Sequence, residues 1–410
     1  MDTAPRKYIK RSLEKVALKA ASEFPAVMLT GPRQSGKTTL LQHLFAEDYR
    51  YVSLEPPDVR AAALEDPRGF LDTFGPPVIF DEVQYAPGIL PYVKEQIDSH
   101  RDIPGQYLLT GSQNLLLAEK VTESLAGRSA VLRLLPLSRR EEEGHPQVNL
   151  FWEQARRSRK EEKLSSRDMW RRFLRGSYPE LVANPRRDMN LWHSSYVETY
   201  LERDLCTIRQ VGNLTQFQNF LRALAARSAQ LLDLTSLARD LGVAVNTVKA
   251  WLSVLEATYQ VIILRPYFTN IGKRLVKTPK VYFTDTGTLC YLTGLKDPEH
   301  AASGPMGGAI METAVVSEVV KTLTHQGVDP QVFFWRTSAG AEVDLIVQSE
   351  GKLVPIEVKL SATPSPAMAG SIKRFREDLS GKAMPGYVVH PGDVRLPLGK
   401  GVTALPFAEL

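Results

Sequence analysis

The chain has 410 residues, 43% hydrophobic and 24% charged, values that exclude a disordered or low-complexity protein and leave room for about two to four domains. Lysine and arginine outnumber aspartate and glutamate by 51 to 46, a net charge of +5 that permits an anionic partner without demanding one. Its two cysteines, Cys206 and Cys290, exclude a disulfide framework. With no apolar signal core in MDTAPRKYIKRSLEK and no membrane-length apolar run, a cytoplasmic protein without membrane contact is expected.

Ala26-Val-Met-Leu29 reads as a buried strand, and GPRQSGKTT follows it directly, ahead of a helix continuing through Leu40 to Phe45. Strand, glycine-rich turn and helix are the context in which backbone N–H groups converge on phosphate oxygens. Gly31, Pro32, Arg33, Gln34, Ser35, Gly36, Lys37, Thr38 and Thr39 are therefore expected to cradle a nucleotide. Lys37 would reach the β and γ phosphates, and the Thr38 hydroxyl would hold Mg²⁺. No Asn-Lys-x-Asp run argues for guanine, so ATP is expected.

Tyr51-Val-Ser-Leu54 and Pro77-Val-Ile-Phe80 read as further strands, the second ending in Asp81-Glu82. Asp81 would bind Mg²⁺ through its water shell and Glu82 would polarise the attacking water. After the strand Gln106 to Thr110, Ser112 and Asn114 are candidate γ-phosphate sensors. Gly127-Arg128 precedes the strand-like run Val131 to Leu134. Arg128 reads either as a surface arginine or as one that neutralises transition-state charge in a neighbouring subunit. The charge-rich stretch from Arg139 to Lys163 reads as solvated helix faces in a lid and linker.

From Phe217 onward the pattern changes to short helices. Thr235 to Leu241, the Gly242 turn and Asn246 to Glu256 form a helix-turn-helix pattern, with Asn246 placed to cap the second helix and Val248, Leu252 and Leu255 on its buried face. The strand Tyr259 to Leu264, a basic wing and the return strand Val281 to Phe283 complete a winged-helix reading. Thr247, Lys249, Lys273, Arg274, Lys277 and Lys280 are the candidate DNA contacts; a packing module without DNA is the other reading.

Glu342 to Gln348 and Leu353 to Lys359 form a hairpin around Ser349-Glu-Gly-Lys352. Pairing Gln348 with Leu353 sets Leu345 against Ile356 and Val347 against Val354 on an apolar face. The same register puts Asp344 across from Glu357, about 5 Å apart at Cβ, where two carboxylates repel unless a cation lies between them. Asp344 and Glu357 are the candidate metal ligands, Lys359 shares Glu357's face, and Glu312 on the helical run Gly308 to Glu318 would supply a third acid. A solvated face with Glu342 paired to Lys359 is the alternative.

The motifs GPRQSGKTT, VIFDEVQ, LLTGSQN, GRSAVLRLLPLS, GSYPEL, YVETYLERDL, RLVKTPKVYFTDTG and AEVDLIV with PIEVKL span nearly the whole chain. Together they resemble a prokaryotic family of AAA-type ATPases with a carboxyl-terminal domain of unknown function, DUF4143. The resemblance implies an α/β chain in four parts: a P-loop AAA-type ATPase core at 1–140, a helical lid and linker at 141–214, a winged helix-turn-helix domain at 215–296 and an α/β PD-(D/E)XK nuclease-like domain at 297–410. In the last part the family motif falls on Asp344, Glu357 and Lys359 with Glu312 as the helix acid, implying Mg²⁺ or Mn²⁺ there. The implied activity is an ATP-hydrolysing homo-oligomeric ring, hexameric by analogy, that couples nucleotide state to binding, remodelling or cleavage of DNA, branched DNA included. An ATP-gated regulatory or defence switch with a nuclease-like effector is the alternative.

Overall fold

A computed structural model describes residues 8–112, 124–146, 150–153, 164–201, 214–267, 278–379 and 381–410. Two sheets organise it. The first is five-stranded and wholly parallel, in the order β2-β3-β4-β1-β5, where β1 is Ala26–Thr30, β2 Arg50–Ser53, β3 Val78–Asp81, β4 Tyr107–Gly111 and β5 Ser129–Arg133. All five residues of β1 are buried, the continuous apolar run expected of a central strand covered on both faces. Because β4 lies between β1 and β3, the carboxyl ends of all three meet at one edge. That edge holds the phosphate loop, the Asp81-Glu82 pair and Ser112.

The second sheet has eight strands in the order β12-β13-β11-β10-β9-β8-β6-β7. It draws on β6 (Val261–Pro266), β7 (Lys280–Phe283), β8 (Val332–Arg336), β9 (Glu342–Ser349), β10 (Lys352–Val358), β11 (Gly386–His390), β12 (Leu396–Pro397) and β13 (Val402–Pro406). The hairpin register is the one read from the sequence, with Leu353 opposite Gln348, Val354 opposite Val347 and Ile356 opposite Leu345. Its second face is less solvated than the charge pattern suggested, since Ile346 and Leu353 pack with Phe375 of the helix Gly370–Asp378. Only the Asp344 and Glu357 end is left for polar groups.

The middle of the chain supplies helices Leu214–Ala225, Leu234–Leu241 and Val245–Ala257 before the antiparallel pair β6 and β7. Val248, Leu252 and Leu255 are buried as their spacing predicts. Asn246 does not cap the last of these helices. Ala244 holds the cap position, which makes Asn246 the second helical residue. Strand β6 continues into the second sheet by pairing with β8, Arg265 to Phe333 and Pro266 to Phe334. One apolar core accordingly runs from Phe217, Phe220 and Trp251 through Phe283 to Leu345 and Ile356.

The charge run at the head of the connector is also unlike its expectation. Arg139, Arg140 and Glu141 are buried rather than solvated, in a short helix Arg139–Glu142 whose cap, Ser138, forms a reciprocal capping box with Glu141. Three charges at the junction of two sheets are tolerated because each is paired. Leu345→Ala is expected to cost about 2–5 kcal/mol of stability. Since β6 and β8 share a sheet, hydrogen exchange in that variant should open residues 261–266 and 332–358 together; separate openings would show two independent units.

Candidate functional site

The phosphate loop turns on backbone conformations that few side chains tolerate. Gly36 has φ +95° and Gln34 φ +60°, and a Cβ on Gly31 would lie 2.1 Å from the Leu134 carbonyl oxygen, so the loop is seated on the exit of β5. Lys37 opens the helix Lys37–Phe45, and its ammonium donates to the carbonyls of Gly31 at 3.1 Å and Pro32 at 2.9 Å. The Ser35 hydroxyl is buried without a hydrogen-bond partner. A triphosphate fits this set: a cation, a helix amino terminus and an unpartnered donor in one loop. Pro32, Arg33, Gln34 and Thr39 complete the turn, with Thr39 exposed.

Thr38 and Asp81 meet directly, Oγ1 donating to Oδ1 at 2.8 Å, and Tyr51 donates to Oδ2 at 2.8 Å. Thr110 also donates to Asp81 and accepts the Glu82 N–H at 3.0 Å. Mg²⁺ requires few protein ligands when phosphates supply the rest, and the Thr38 hydroxyl beside the Asp81 carboxylate meets that need. Burial and the Asp81 hydrogen bond push the Tyr51 hydroxyl well above its usual range, so it stays a donor. Glu82 sits at φ +58°, a strained position for a non-glycine residue. Its carboxylate accepts from Ser112 at 3.1 Å and from Gln84, which also donates to Ser112 at 3.1 Å. Tyr51, Gln84 and Thr110 escaped the sequence reading, although Gln84 and Thr110 belong to the quoted motifs VIFDEVQ and LLTGSQN.

Asn114 lies outside the described residues. Arg128 forms a bidentate pair with Asp98 at 2.6 and 2.9 Å, at the edge where β1 begins. The phosphate loop leaves the opposite end of β1, about 15 Å away along five strand residues. Arg128 therefore lies at the end of the sheet remote from the phosphate loop.

The second constellation is acidic. Glu312 from the helix Gly307–His325, Glu342 and Asp344 from β9, and Glu357 and Lys359 from β10 and its end line one cleft with Arg336. Lys359 donates to Glu357 Oε1 at 2.6 Å, and the Val358 N–H donates to Asp344 Oδ2 at 2.8 Å. Glu357 is 5% exposed, and its Oε2 has no hydrogen-bond partner. Burial, then the Asp344 charge, raises Glu357 to about 8, and the same two causes raise Glu312 to about 7. Glu342 pairs with Arg336 at 3.0 Å, so the alternative pairing to Lys359 is not the one formed.

Lys280 lies in this cleft as well. Expected on an exposed wing facing phosphate, it is instead 3% exposed, with its ammonium 2.9 Å from Glu312, 2.5 Å from Glu342 and 3.7 Å from Asp344. Strand β7 begins at Lys280 and aims it into this cleft, which removes it from the exposed wing. Thr247 is half-buried and Lys249 exposed. Lys273, Arg274 and Lys277 lie outside the described residues. Among the described residues no three His, Cys, Asp or Glu side chains form a preassembled metal cage. Nor is any helix among them long and apolar enough to cross a membrane.

Parallel sheet, phosphate loop and the Asp81-Glu82 edge define an AAA-type ATPase domain. Residues 23–142 match the family described as AAA domain, 166–299 a domain of unknown function, DUF8612, and 307–410 a domain of unknown function, DUF4143. Uncharacterized proteins of Mycobacterium tuberculosis (Rv2008c) and Mycobacterium bovis (Mb2031c) are each 32% identical over 398 residues, 96% of this chain and 82% of theirs. A Walker-type ATPase of Pyrococcus abyssi, PABY2304, aligns with 71% of this chain and 99% of its own at 15% identity and a TM-score of 0.45. The chain belongs to the family of AAA-type ATPases that carry a carboxyl-terminal DUF4143 domain.

The raised Glu357 carboxyl has a measurable consequence. Folded protein keeps a proton there up to about pH 8 that the unfolded chain releases near 4.5, so this group lowers stability as pH rises between those values. In metal-free buffer Glu357→Gln should therefore melt higher than the parent above pH 8, and the gap should close toward pH 4.5. Equal melting temperatures at pH 8.5 would show that the carboxyl is not strained.

Proposed function

We propose that the protein is an ATP-hydrolysing, DNA-directed oligomer in which nucleotide state governs a nuclease-like cleft. The carrying observation is the convergence of Glu312, Asp344, Glu357 and Lys359 in one cleft, with a buried carboxylate oxygen lacking any partner, on a chain with a complete phosphate loop. The order of elements around the cleft supports it: a helix, three antiparallel strands β8, β9 and β10, a second helix, then β11 parallel to β10. This order supports the PD-(D/E)XK reading of the motif.

Asp344 and Glu357 would hold a divalent cation, Mg²⁺ or Mn²⁺, which when bound polarises a phosphodiester. Lys359, fixed against Glu357, is placed to steady the charge that develops on the phosphate. Thr247, Lys249, Lys273, Arg274 and Lys277 would grip the backbone of DNA, duplex or branched, through a winged helix. In the nucleotide site Glu82 orients water held by Gln84 and Ser112, Asn114 assists as a sensor, and Lys37 binds the terminal phosphates. Arg128 acts on the nucleotide of the next subunit in a ring, where an arginine remote from its own phosphate loop completes the charge balance.

One observation favours the second reading, an ATP-gated regulatory or defence switch. The Lys280 ammonium lies among the same carboxylates, within 3.7 Å of Asp344, so the cleft already holds a cation. A cleft in this state would need a trigger before it accepted a metal.

Lys37→Ala should abolish ATP hydrolysis, and Arg128→Ala should abolish turnover while sparing nucleotide binding; normal turnover in the latter would remove the trans role. Duplex, single-stranded and four-way DNA should be bound by the parent with affinity that falls steeply with salt. Cleavage in Mn²⁺ should disappear in Glu357→Ala/Lys359→Ala, and equal cleavage by parent and variant would reject the nuclease reading.

A further inference from the structure

Beneath the phosphate loop lies a buried group of charges with no part in the chemistry above. Arg11, 3% exposed, donates from Nη1 to the Ser35 carbonyl at 2.8 Å and from Nη2 to the Leu135 carbonyl at 2.6 Å. Ser35 is inside the loop, and Leu135 follows Leu134, whose carbonyl fills the space beside Gly31. One guanidinium thus pins both walls of the nucleotide seat. Its Nε lies 3.2 Å from Glu141 Oε1, and Glu141 also accepts the Ser12 N–H at 2.7 Å and the Ser138 N–H at 2.9 Å.

The third member comes from the far end of the chain. His325 closes the helix Gly307–His325, with Nδ1 at 3.1 Å from Glu141 Oε2 and Nε2 accepting the Leu135 N–H at 3.1 Å. An accepting Nε2 makes the ring neutral with its proton on Nδ1 toward the carboxylate. Glu141 and His325 are both 0% exposed. The carboxyl-terminal domain is therefore part of the floor of the nucleotide site.

We propose that Arg11, Glu141 and His325 are positioning residues for ATP hydrolysis, through which the carboxyl-terminal domain holds the phosphate loop in its triphosphate-binding form. Ser35 and Leu135 are backbone positions, so their carbonyls and N–H groups are placed only by what binds them. Loosening either wall moves the loop N–H groups that face the phosphates and weakens their hold on the triphosphate in ground state and transition state alike, which raises KM. The linkage is reciprocal: if His325 favours the nucleotide-bound loop, nucleotide favours the docked helix by the same factor. That helix carries Glu312 thirteen residues away, about 20 Å along its axis, in the acidic cleft. Nucleotide occupancy and the position of Glu312 are then read by one rigid element.

The inference rests on the triphosphate reading of Gly31–Thr39, and the test separates the two. ATP hydrolysis is measured on the full chain for the parent, His325→Phe and Arg11→Lys, below the melting temperature of each. His325→Phe keeps the ring volume and deletes both nitrogens; Arg11→Lys keeps a cation for Glu141 but cannot span Ser35, Leu135 and Glu141 together. Both should raise KM for ATP about tenfold, whereas partial unfolding alone lowers apparent kcat and leaves KM unmoved. In the parent a non-hydrolysable ATP analogue should slow amide exchange across 307–325, and the effect should vanish in both variants. A parent without ATP turnover would overturn the triphosphate reading. A turning-over parent whose variants keep its KM, or whose helix exchange ignores nucleotide, would overturn the positioning role alone.

Discussion

The buried carboxylate of Glu141 ties the segment beneath the phosphate loop to the end of the long helix. It receives two backbone N–H groups, a guanidinium and an imidazole, from residues as far apart in the chain as Ser12 and His325. Burial alone would raise its pKa, but Arg11 and His325 outweigh it and keep the group ionised far below the usual carboxylate range. Burial lowers His325, whose Nδ1 lies 3.1 Å from the carboxylate. Removing one partner from such a group leaves a charge without compensation, a loss of about 3–5 kcal/mol that approaches the whole stability of many domains. The relative arrangement of the phosphate loop and the long helix is for that reason a constraint and not a chance contact.

The nucleotide edge was legible because its chemistry is local. A loop of nine residues between strand and helix contains both the glycines and the cation, and the acidic pair ends a strand of its own. The hairpin was legible for a similar reason: period two fixes which side chains share a face, so the Gln348 to Leu353 register put Asp344 near Glu357 before any fold was known. Partners supplied from other parts of the chain had no such signal. Arg11, His325, Tyr51 and Lys280 reach their sites through tertiary packing, which residue spacing does not encode. Arg139, Arg140 and Glu141 were misread because a run of charges is ordinarily a solvated face, whereas here each charge has a buried partner.

The acidic cleft shows how far charge balance governs its state. Glu312, Glu342, Asp344 and Glu357 face Lys280, Lys359 and Arg336. Burial tends to lower the Lys280 ammonium, yet Glu312, Asp344 and Glu342 overcome that and push it above its usual range. The same carboxylates remain strained: Glu312 and Glu357 are both raised, by burial and by Asp344. On the Glu357 side Lys359 bonds Oε1 while Oε2 has no partner. Lys280 relieves the side toward Glu312 and Glu342.

The asymmetry matters because the two sides belong to different parts of the chain. Lys280 opens β7, the outermost strand of the sheet, while Asp344 and Glu357 lie on β9 and β10 near its centre. Strand β7 is held on one side by β6 and on the other by residues 229–232, where the Ala229 N–H donates to the Val281 carbonyl and the Leu232 N–H to the Pro279 carbonyl at 2.8 Å each, so Lys280 is fixed from both flanks. If the proposed cleft takes a divalent cation at Asp344, the Lys280 ammonium 3.7 Å from Oδ1 would repel it. On that reading cation binding and the Lys280 pairing would oppose each other, while Glu312 on the long helix bonds the same ammonium at 2.9 Å.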